Sequence, residues 1–338
     1  MFRSGLAVAA CVLWAAAASA EQQPSPATTA AYSEINTTKL VDGIYMLQNL
    51  GGNIVVAVAK DGLIVVDAGP ASQHDKVKAA IAAIARQRIK FLINTQFHSD
   101  HTGGNEFFAK GGATVVADAH VKNRMAAGTT DGLTGMKTPP ASAGALPAKT
   151  YIGTFKIQLN GRVADLNHVP NAYSDGDSFV WFKTANVLAT GDTFTNDGRY
   201  PDIDFANGGN VDGMIAAADM YLKLTDTNSK IVPGHGPVAD KAELLDFYTM
   251  LVVARDRMDV LIQDGKSEGE VMAERPFADL DAKWAPTEMA SKNFVRALYR
   301  SMTDKPPPPA PPKKPSAQPS AQPSAQPPAL QRQVLHRN

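Results

Sequence analysis

Residues 95–104 of the chain, TQFHSDHTGG, place two imidazoles and a carboxylate within four positions. His98, Asp100 and His101 follow an apolar run, residues 91–93, that is typical of a buried strand. A strand that ends in such a cluster presents several polar side chains at one edge of a sheet. Imidazole nitrogens and carboxylate oxygens are the ligands that zinc takes in proteins, so the stretch predicts a metal site.

Three later segments end or begin apolar runs in the same way. Asp192 ends one run, His235 ends another between two glycines, and residues 171–177, NAYSDGD, form a loop in front of a third. Strand ends that share one sheet edge converge in space. We therefore expect these three segments to meet the cluster at residues 98–101.

Residues 95–104 resemble the metal-binding signature of the metallo-β-lactamase superfamily, T-H-x-H-x-D-H-x-G-G, and the later segments follow in the order of that family. The resemblance spans roughly residues 32–304. It implies an α/β (α+β) protein with the metallo-β-lactamase fold, a four-layer αββα sandwich.

The resemblance further implies two adjacent metal positions, of which the second is complete. Asp100, His101 and His235 match its ligands, and Asp192 matches the carboxylate that bridges the two metals.

The first metal position departs from the family in two ligands. It keeps His98 and Asp192, but Gln96 and Tyr173 stand where the family has histidines. The amide oxygen of Gln96 is a weaker zinc donor than imidazole, and a phenol becomes a good ligand only when its pKa falls far below about 10. Two expectations stay open. Either the position is occupied but weakened, with Gln96 as a ligand, or Gln96 and Tyr173 hydrogen-bond each other or a water in its place.

Other polar residues are expected to surround the site. Asp67 ends an apolar run and is expected to orient a metal ligand. His168 is expected to have a structural role beside the site, with a swing into the first metal position as the alternative. His120 is expected at the surface. Tyr200, Asp202 and Asp204 are candidates for the substrate mouth, without a predicted direction.

The ligand set and the resemblance predict a zinc hydrolase that holds one or two ions. Zinc makes water available as a nucleophile, which would attack an ester, lactone, thioester or amide of a small molecule, a β-lactam among them. Asp100 or Asp192 would orient the nucleophile, and Tyr173 would donate a hydrogen bond where the first metal is missing.

Two other classes of function stay open. Two histidines and a carboxylate are also the ligands of mononuclear non-haem iron enzymes, so iron could take the place of zinc at Asp100, His101 and His235. A relative that lost turnover with the two missing histidines would be a weakened metal- or ligand-binding protein.

The start of the chain predicts a secreted or periplasmic protein. Residues 1–20 have the basic Arg3, an apolar run too short to span a membrane, and a small-residue end, as a signal peptide does. Cys11, the only cysteine, lies in this segment. The mature domain, residues 21–304, can then hold a metal only through histidine and oxygen ligands.

Residues 305–338 predict a disordered tail, because they are rich in proline and repeat PSAQ three times. Removing the five basic residues of the tail and Arg3 from the 33 of the chain leaves 27 against 33 acidic residues, so residues 21–304 carry about −6. Either the basic tail contacts an anionic envelope surface weakly or it is inert. Neither phosphate-binding glycine loops nor basic-aromatic patterning occurs, which argues against nucleotide and nucleic-acid partners.

The apolar pattern predicts two series of strands, each followed by helices. Strands are predicted at residues 41–48, 53–59, 63–66, 89–94, 113–116, 154–159, 162–168, 178–183, 187–189 and 230–232, and helices at 73–88, 105–109, 117–127, 211–224, 241–262 and 291–302. Residues 128–149 are predicted to be a long loop that borders the site.

Overall fold

The computed structural model of the protein describes residues 34–49 and 51–304. The predicted signal peptide at residues 1–20 and the predicted tail at residues 305–338 lie outside the described residues. In the described part of the chain, none of the helices combines the length and the apolar character needed to cross a bilayer.

Two β-sheets and a separate two-stranded hairpin make up the strands. In chain order the strands are β1 (Asn36–Val41), β2 (Ile44–Gln48), β3 (Ile54–Ala59), β4 (Gly62–Val66), β5 (Ile89–Ile93), β6 (Thr114–Asp118), β7 (Thr129–Thr130), β8 (Lys137–Thr138), β9 (Lys149–Tyr151), β10 (Thr154–Leu159), β11 (Arg162–His168), β12 (Ser178–Phe182), β13 (Val187–Gly191) and β14 (Lys230–Pro233). The first sheet has the order β1-β2-β3-β4-β5-β6-β9 and the second the order β10-β11-β12-β13-β14.

Helices cover the outer face of each sheet. They are α1 (His74–Ile84), α2 (Ser99–Thr102), α3 (Asn105–Lys110), α4 (Ala119–Ala127), α5 (Val211–Leu224), α6 (Lys241–Gln263), α7 (Glu268–Glu274), α8 (Ala278–Trp284) and α9 (Glu288–Thr303). Side chains of α1 and α3 pack on the first sheet, and those of α5, α6 and α9 pack on the second. The predicted four-layer αββα sandwich is thereby confirmed.

The central strands β3, β4, β12 and β13 are apolar on both faces because both faces are covered. In β3, Val55 and Ala57 pack against the second sheet, whereas Ile54 and Val56 pack beneath α1 and α3. Side chains of β11, β12 and β13 complete the core between the sheets. Such strands show no alternation of polar and apolar residues, yet their register is fixed because each face has its own packing partners.

The sheets bring four strand ends to one edge of the sandwich. β4 and β5 run parallel in the first sheet, and β13 and β14 run parallel in the second. Their carboxyl ends are followed by Asp67, by residues 94–98, by Asp192 and by His235. The topology therefore positions the segments that carry Asp100, His101, Asp192 and His235.

Two parts of the sequence-based assignment are wrong. The predicted loop at residues 128–149 contains the antiparallel pair β7 and β8 and begins β9. Helices α2, α7 and α8 were not predicted. A signal for α7 was present, since Ser267 and Glu270 form a capping box at its start.

The core between the sheets should dominate stability. Leu166 is fully buried between the sheets, whereas Leu245 on α6 is 50% exposed. We expect Leu166→Ala to lower the free energy of unfolding by about 2–5 kcal/mol, because the cavity it leaves cannot close fully. The control Leu245→Ala should change it by about 0.5 kcal/mol or less. Urea denaturation followed by circular dichroism measures both, and equal losses would contradict this placement of the core.

Candidate metal centre

Four side chains converge where the strand ends meet. Asp100 and His101 lie on α2, Asp192 follows β13 and His235 follows β14. The Nε2 atom of His101 lies 3.2 Å from Asp192 Oδ1 and 3.6 Å from Asp100 Oδ2. The Nε2 atom of His235 lies 3.4 Å and 3.3 Å from the same two oxygens. Sequence reasoning placed these four residues together, and the structure does so.

The geometry of the four side chains fits a metal ion. Ligand atoms about 2.1 Å from a tetrahedral zinc are roughly 3.4 Å apart, close to the separations seen here. His101 Nε2 and Asp192 Oδ1 are buried, and within the described chain neither has a hydrogen-bond partner despite their short separation. Buried polar atoms without partners are costly. A cation between them would satisfy both atoms.

Asp67 fixes the orientation of the His101 ring. Its Oδ2 atom accepts a hydrogen bond from His101 Nδ1 at 2.9 Å, and Thr95 donates its amide and its hydroxyl to the same carboxylate at 2.8 and 2.7 Å. Because a carboxylate accepts here, Nδ1 carries the proton and Nε2 is free to face the centre. Asp67 thus makes the orienting contact expected from the sequence.

Two glycines leave room for the cluster. A β-carbon on Gly52 would lie 2.8 Å from His101 Nε2, and one on Gly234 would overlap Asp192 Oδ1. Any other residue at either position would displace a candidate ligand. The backbone itself therefore forms part of the wall of the centre.

Opposite charges stabilise the cluster without a metal. Burial disfavours the imidazolium form of His101, but Asp192, Asp100 and Asp67 outweigh it and raise the pKa of His101 well above its usual value. Burial disfavours the imidazolium form of His235 as well, but Asp192 and Asp100 outweigh it and raise the pKa of His235 to about 10. Burial also disfavours the carboxylate of Asp192, yet the two histidines hold its pKa well below the ordinary range. Binding of a cation would release the histidine protons.

Gln96 and His98 form a chain of hydrogen bonds that begins at Asp192 of the cluster and ends at Asp204. Gln96 Nε2 donates to Asp192 Oδ2 at 2.9 Å, and its Oε1 accepts from His98 Nδ1 at 2.7 Å. His98 Nε2 lies 3.1 Å from Asp204 Oδ2. Both ring nitrogens of His98 therefore have polar partners, and Gln96 links His98 to Asp192. The hydrogen bond between Gln96 and Tyr173 that the sequence allowed is replaced by these contacts.

Tyr173 lies beside His98 as a protonated phenol. It is buried, and its ring centroid is 5.0 Å from that of His98. Burial, followed by the negative charges of Asp192 and its acidic neighbours, raises the pKa of Tyr173 well above its ordinary value. A phenol of this kind donates hydrogen bonds and is a poor metal ligand.

A cavity of about 450 Å³ opens beside His98 and Asp100. Phe97, Met125 and parts of residues 128–145 line it. The segment predicted to border the site does so, although it is not a structureless loop. The volume is suited to a small molecule.

Acidic side chains surround the mouth of the site. Asp131, Asp202 and Asp204 line a second cavity of about 280 Å³ next to Tyr173. Of the arginines that line the two cavities, Arg124 forms two hydrogen bonds with Asp175, and Arg296 pairs with Glu268.

Tyr200, grouped with the mouth residues on sequence, lines a cavity of about 270 Å³ together with Asp202 and His235, and its ring also packs into the core. It is buried, and its ring stacks on Phe294 at a centroid distance of 4.1 Å. Asp204 was a candidate for the mouth, but its contact with His98 had no signal in the sequence.

Comparison with known proteins agrees with this architecture. The sequence profile of the metallo-beta-lactamase superfamily matches residues 47–235. The structure of a metallo-beta-lactamase from Pontibacter korlensis is 15% identical, with a TM-score of 0.55 and coverage of 65% of this chain and 99% of that one. No curated protein matches the chain at a significant level.

Two structures of a larger enzyme also match. The stereoselective inverting sec-alkylsulfatase Pisa1 from Pseudomonas sp. is 14% identical, with a TM-score of 0.56 and coverage of 79% of this chain and 50% of that one. A double mutant of the sec-alkyl sulfatase PisA1 is 16% identical, with a TM-score of 0.60 and coverage of 80% and 50%. The chain thus spans half the length of these sulfatases, and the likeness shows the shared fold alone.

Asp67 provides a test of the centre that leaves the candidate ligands in place. We expect Asp67→Asn to weaken zinc affinity about 10- to 100-fold, because an amide cannot accept all the hydrogen bonds that the carboxylate accepts. Asparagine tolerates the positive φ of 64° at this position. The control is Asp75→Asn, which changes an exposed aspartate 3.5 Å from His74 and should leave affinity unchanged. Competitive titration against a zinc chelator measures the effect, and equal affinities in the two variants would contradict the assignment.

Proposed function

The chain belongs to the metallo-β-lactamase superfamily, whose members are mostly metal-dependent hydrolases, and from this premise we propose a hydrolase that works with one zinc ion. Asp100, His101, His235 and Asp192 would hold the ion. The observation that carries the proposal is the convergence of these four side chains around two buried atoms without hydrogen-bond partners.

A bound zinc ion supplies a Lewis acid and lowers the pKa of water toward neutrality. Asp192 turns Oδ1 to the centre because Gln96 Nε2 binds Oδ2. Gln96 thus acts as a positioning residue in place of a ligand. Asp100 is only partly buried, so its carboxylate can orient the nucleophile and exchange a proton with solvent.

Tyr173 is proposed to stabilise the negative charge that develops on the substrate oxygen. Its high pKa keeps the hydroxyl protonated throughout the neutral range. Among the described residues no hydrogen bond to this hydroxyl occurs, so it remains free to donate one to a substrate. A positioned donor of this kind replaces part of the stabilisation that a second metal would give.

The charges at the mouth favour an uncharged or cationic substrate. Asp131, Asp202 and Asp204 would repel an anion, and the nearby Arg124 and Arg296 are already paired. We therefore propose a carbonyl substrate, an ester, lactone, thioester or amide. A sulfate ester, the substrate class named for Pisa1, is disfavoured by the same charges.

Zinc is favoured over iron because Asp192 adds a fourth protein ligand. Non-haem iron sites of the two-histidine, one-carboxylate type keep several positions open. Asp100, His101, His235 and Asp192 would hold the ion, and because zinc can expand to five ligands a position for water would remain. The location outside the cytoplasm stays a prediction that rests on residues 1–20. The weak contact with an anionic surface stays a prediction that rests on the basic residues of 305–338.

The proposal predicts a chelator-sensitive esterase activity. Protein that begins at residue 21 should hydrolyse a neutral p-nitrophenyl ester faster than p-nitrophenyl sulfate, lose activity on zinc removal and regain it with added zinc. His235→Ala should lose one zinc per chain together with the activity, whereas the control His74→Gln should lose neither. Iron in the isolated protein would support the oxygenase class, and activity that survives chelation would overturn the zinc mechanism. Zinc without turnover would favour a binding protein.

The role of Tyr173 can be separated from metal binding. We expect Tyr173→Phe to lower kcat about 100-fold, the size of effect seen when one oxyanion donor is removed, with unchanged zinc content. Steady-state kinetics and metal analysis of the same sample decide the case. Loss of zinc would make Tyr173 a ligand, and an unchanged kcat would remove it from the mechanism.

A further inference from the structure

A second cluster of metal-ligand side chains lies outside the centre described above. Asp118 ends β6 and caps α4, His120 lies in the first turn of α4, and His168 ends β11. One nitrogen or oxygen atom from each of the three residues lies within 4.8 Å of the other two. The cluster shares no residue with the Asp100, His101 and His235 group.

Only one of the two oxygens of the Asp118 carboxylate has hydrogen-bond partners among the described residues. Its Oδ1 atom accepts hydrogen bonds from the amide of His120 at 2.9 Å and from His120 Nδ1 at 2.7 Å. Its Oδ2 atom is buried and has no hydrogen-bond partner among the residues described, although His168 Nδ1 lies 3.8 Å away. An unpaired carboxylate oxygen in a fully buried side chain is costly and calls for a positive partner.

Both histidines have one ring nitrogen engaged and one available. His168 Nδ1 donates to the carbonyl oxygen of Asp177 at 2.9 Å, and His120 Nδ1 donates to Asp118. An imidazole that donates from Nδ1 can bind a metal through Nε2 once that nitrogen carries no proton. The two rings lie nearly parallel, with an interplanar angle of 13° and a centroid distance of 5.4 Å.

We propose that Asp118, His120 and His168 form a second metal site, which takes a divalent transition metal such as zinc. Two imidazoles and a carboxylate are a donor set for zinc, and water would complete the coordination. Ligand atoms on a tetrahedral zinc lie roughly 3.4 Å apart, whereas the three atoms here lie within 4.8 Å of one another, so the side chains would have to close on the ion by up to about 1.4 Å. The His120 side chain is 31% exposed, which gives an ion access from solvent.

The site would connect the two sheets. Asp118 and His120 belong to the first sheet and its helix α4, whereas His168 belongs to the second sheet. Arg124, a neighbouring cation on α4, forms a two-point contact with Asp175, so its charge is compensated. A bound ion would tie the sheets together beside the loop that carries Tyr173.

Zinc stoichiometry tests the site independently of activity. Metal-free protein is dialysed against buffered zinc, and zinc per chain is measured by plasma mass spectrometry. The double variant His120→Gln with His168→Gln should bind one zinc fewer than the natural chain. The control His74→Gln removes a histidine of similar exposure, 35% against 31%, that also neighbours an aspartate, and should bind as the natural chain does.

Asp118→Asn is a second test in case the double variant misfolds, because asparagine can keep the cap of helix α4. It should weaken zinc binding at this site at least about tenfold. Equal zinc content and affinity in the natural chain and in these variants would overturn the proposal.

The zinc content of His235→Ala tests the catalytic centre separately from the second metal site. His235→Ala should retain the zinc held by Asp118, His120 and His168 while it loses the zinc at the catalytic centre. If His235→Ala binds as much zinc as the natural chain, the catalytic proposal fails and this one is untouched. If His235→Ala binds none, the present proposal fails.

Discussion

The convergence of ionisable side chains at one edge of two packed sheets is the constraint on which the rest of the structure depends. His101 and Asp192 are buried there, and neither charge could be kept without the other. Parallel strands in each sheet deliver the residues, and glycines 52 and 234 leave the space they occupy. Asp67 binds Nδ1 of His101, and Gln96 binds Oδ2 of Asp192. His101 Nε2 and Asp192 Oδ1, the two atoms without hydrogen-bond partners in the described chain, therefore face one point.

The exchange of histidine for glutamine at position 96 has consequences beyond one lost ligand. An amide both donates and accepts, so Gln96 binds Asp192 on one side and His98 on the other. His98 is thereby turned toward Asp204, a residue that also accepts from Asn207 at 2.8 Å and whose amide donates to the carbonyl of Tyr173. At the first metal position that the resemblance implies, this structure has a connected set of hydrogen bonds. This connection favours one metal at the centre.

The sequence predicted the candidate ligands of the centre because each of them lies in a short segment that follows a strand. Strand ends can be read from apolar runs, and helix α5 and the hairpin of β10 and β11 were predicted with their observed bounds. The direction of His98 could not be predicted, because it depends on Asp204 in an irregular segment far along the chain. His120 looked like a surface residue for the same reason, since its partner His168 lies on the other sheet. Contacts of this kind arise only when the two sheets pack.

The loop that carries Tyr173 keeps its shape through its two acidic residues. Asp177 accepts the amide and the hydroxyl of Ser174 at 2.7 Å each, and burial raises its pKa well above the ordinary value. Asp175 binds Arg124 of α4. Neither contact involves the side chain at position 173. The scaffold that presents a histidine ligand in the family is therefore independent of that histidine, and here it presents a phenol at the same place. A change from metal ligand to hydrogen-bond donor could occur without any change in the backbone that positions it.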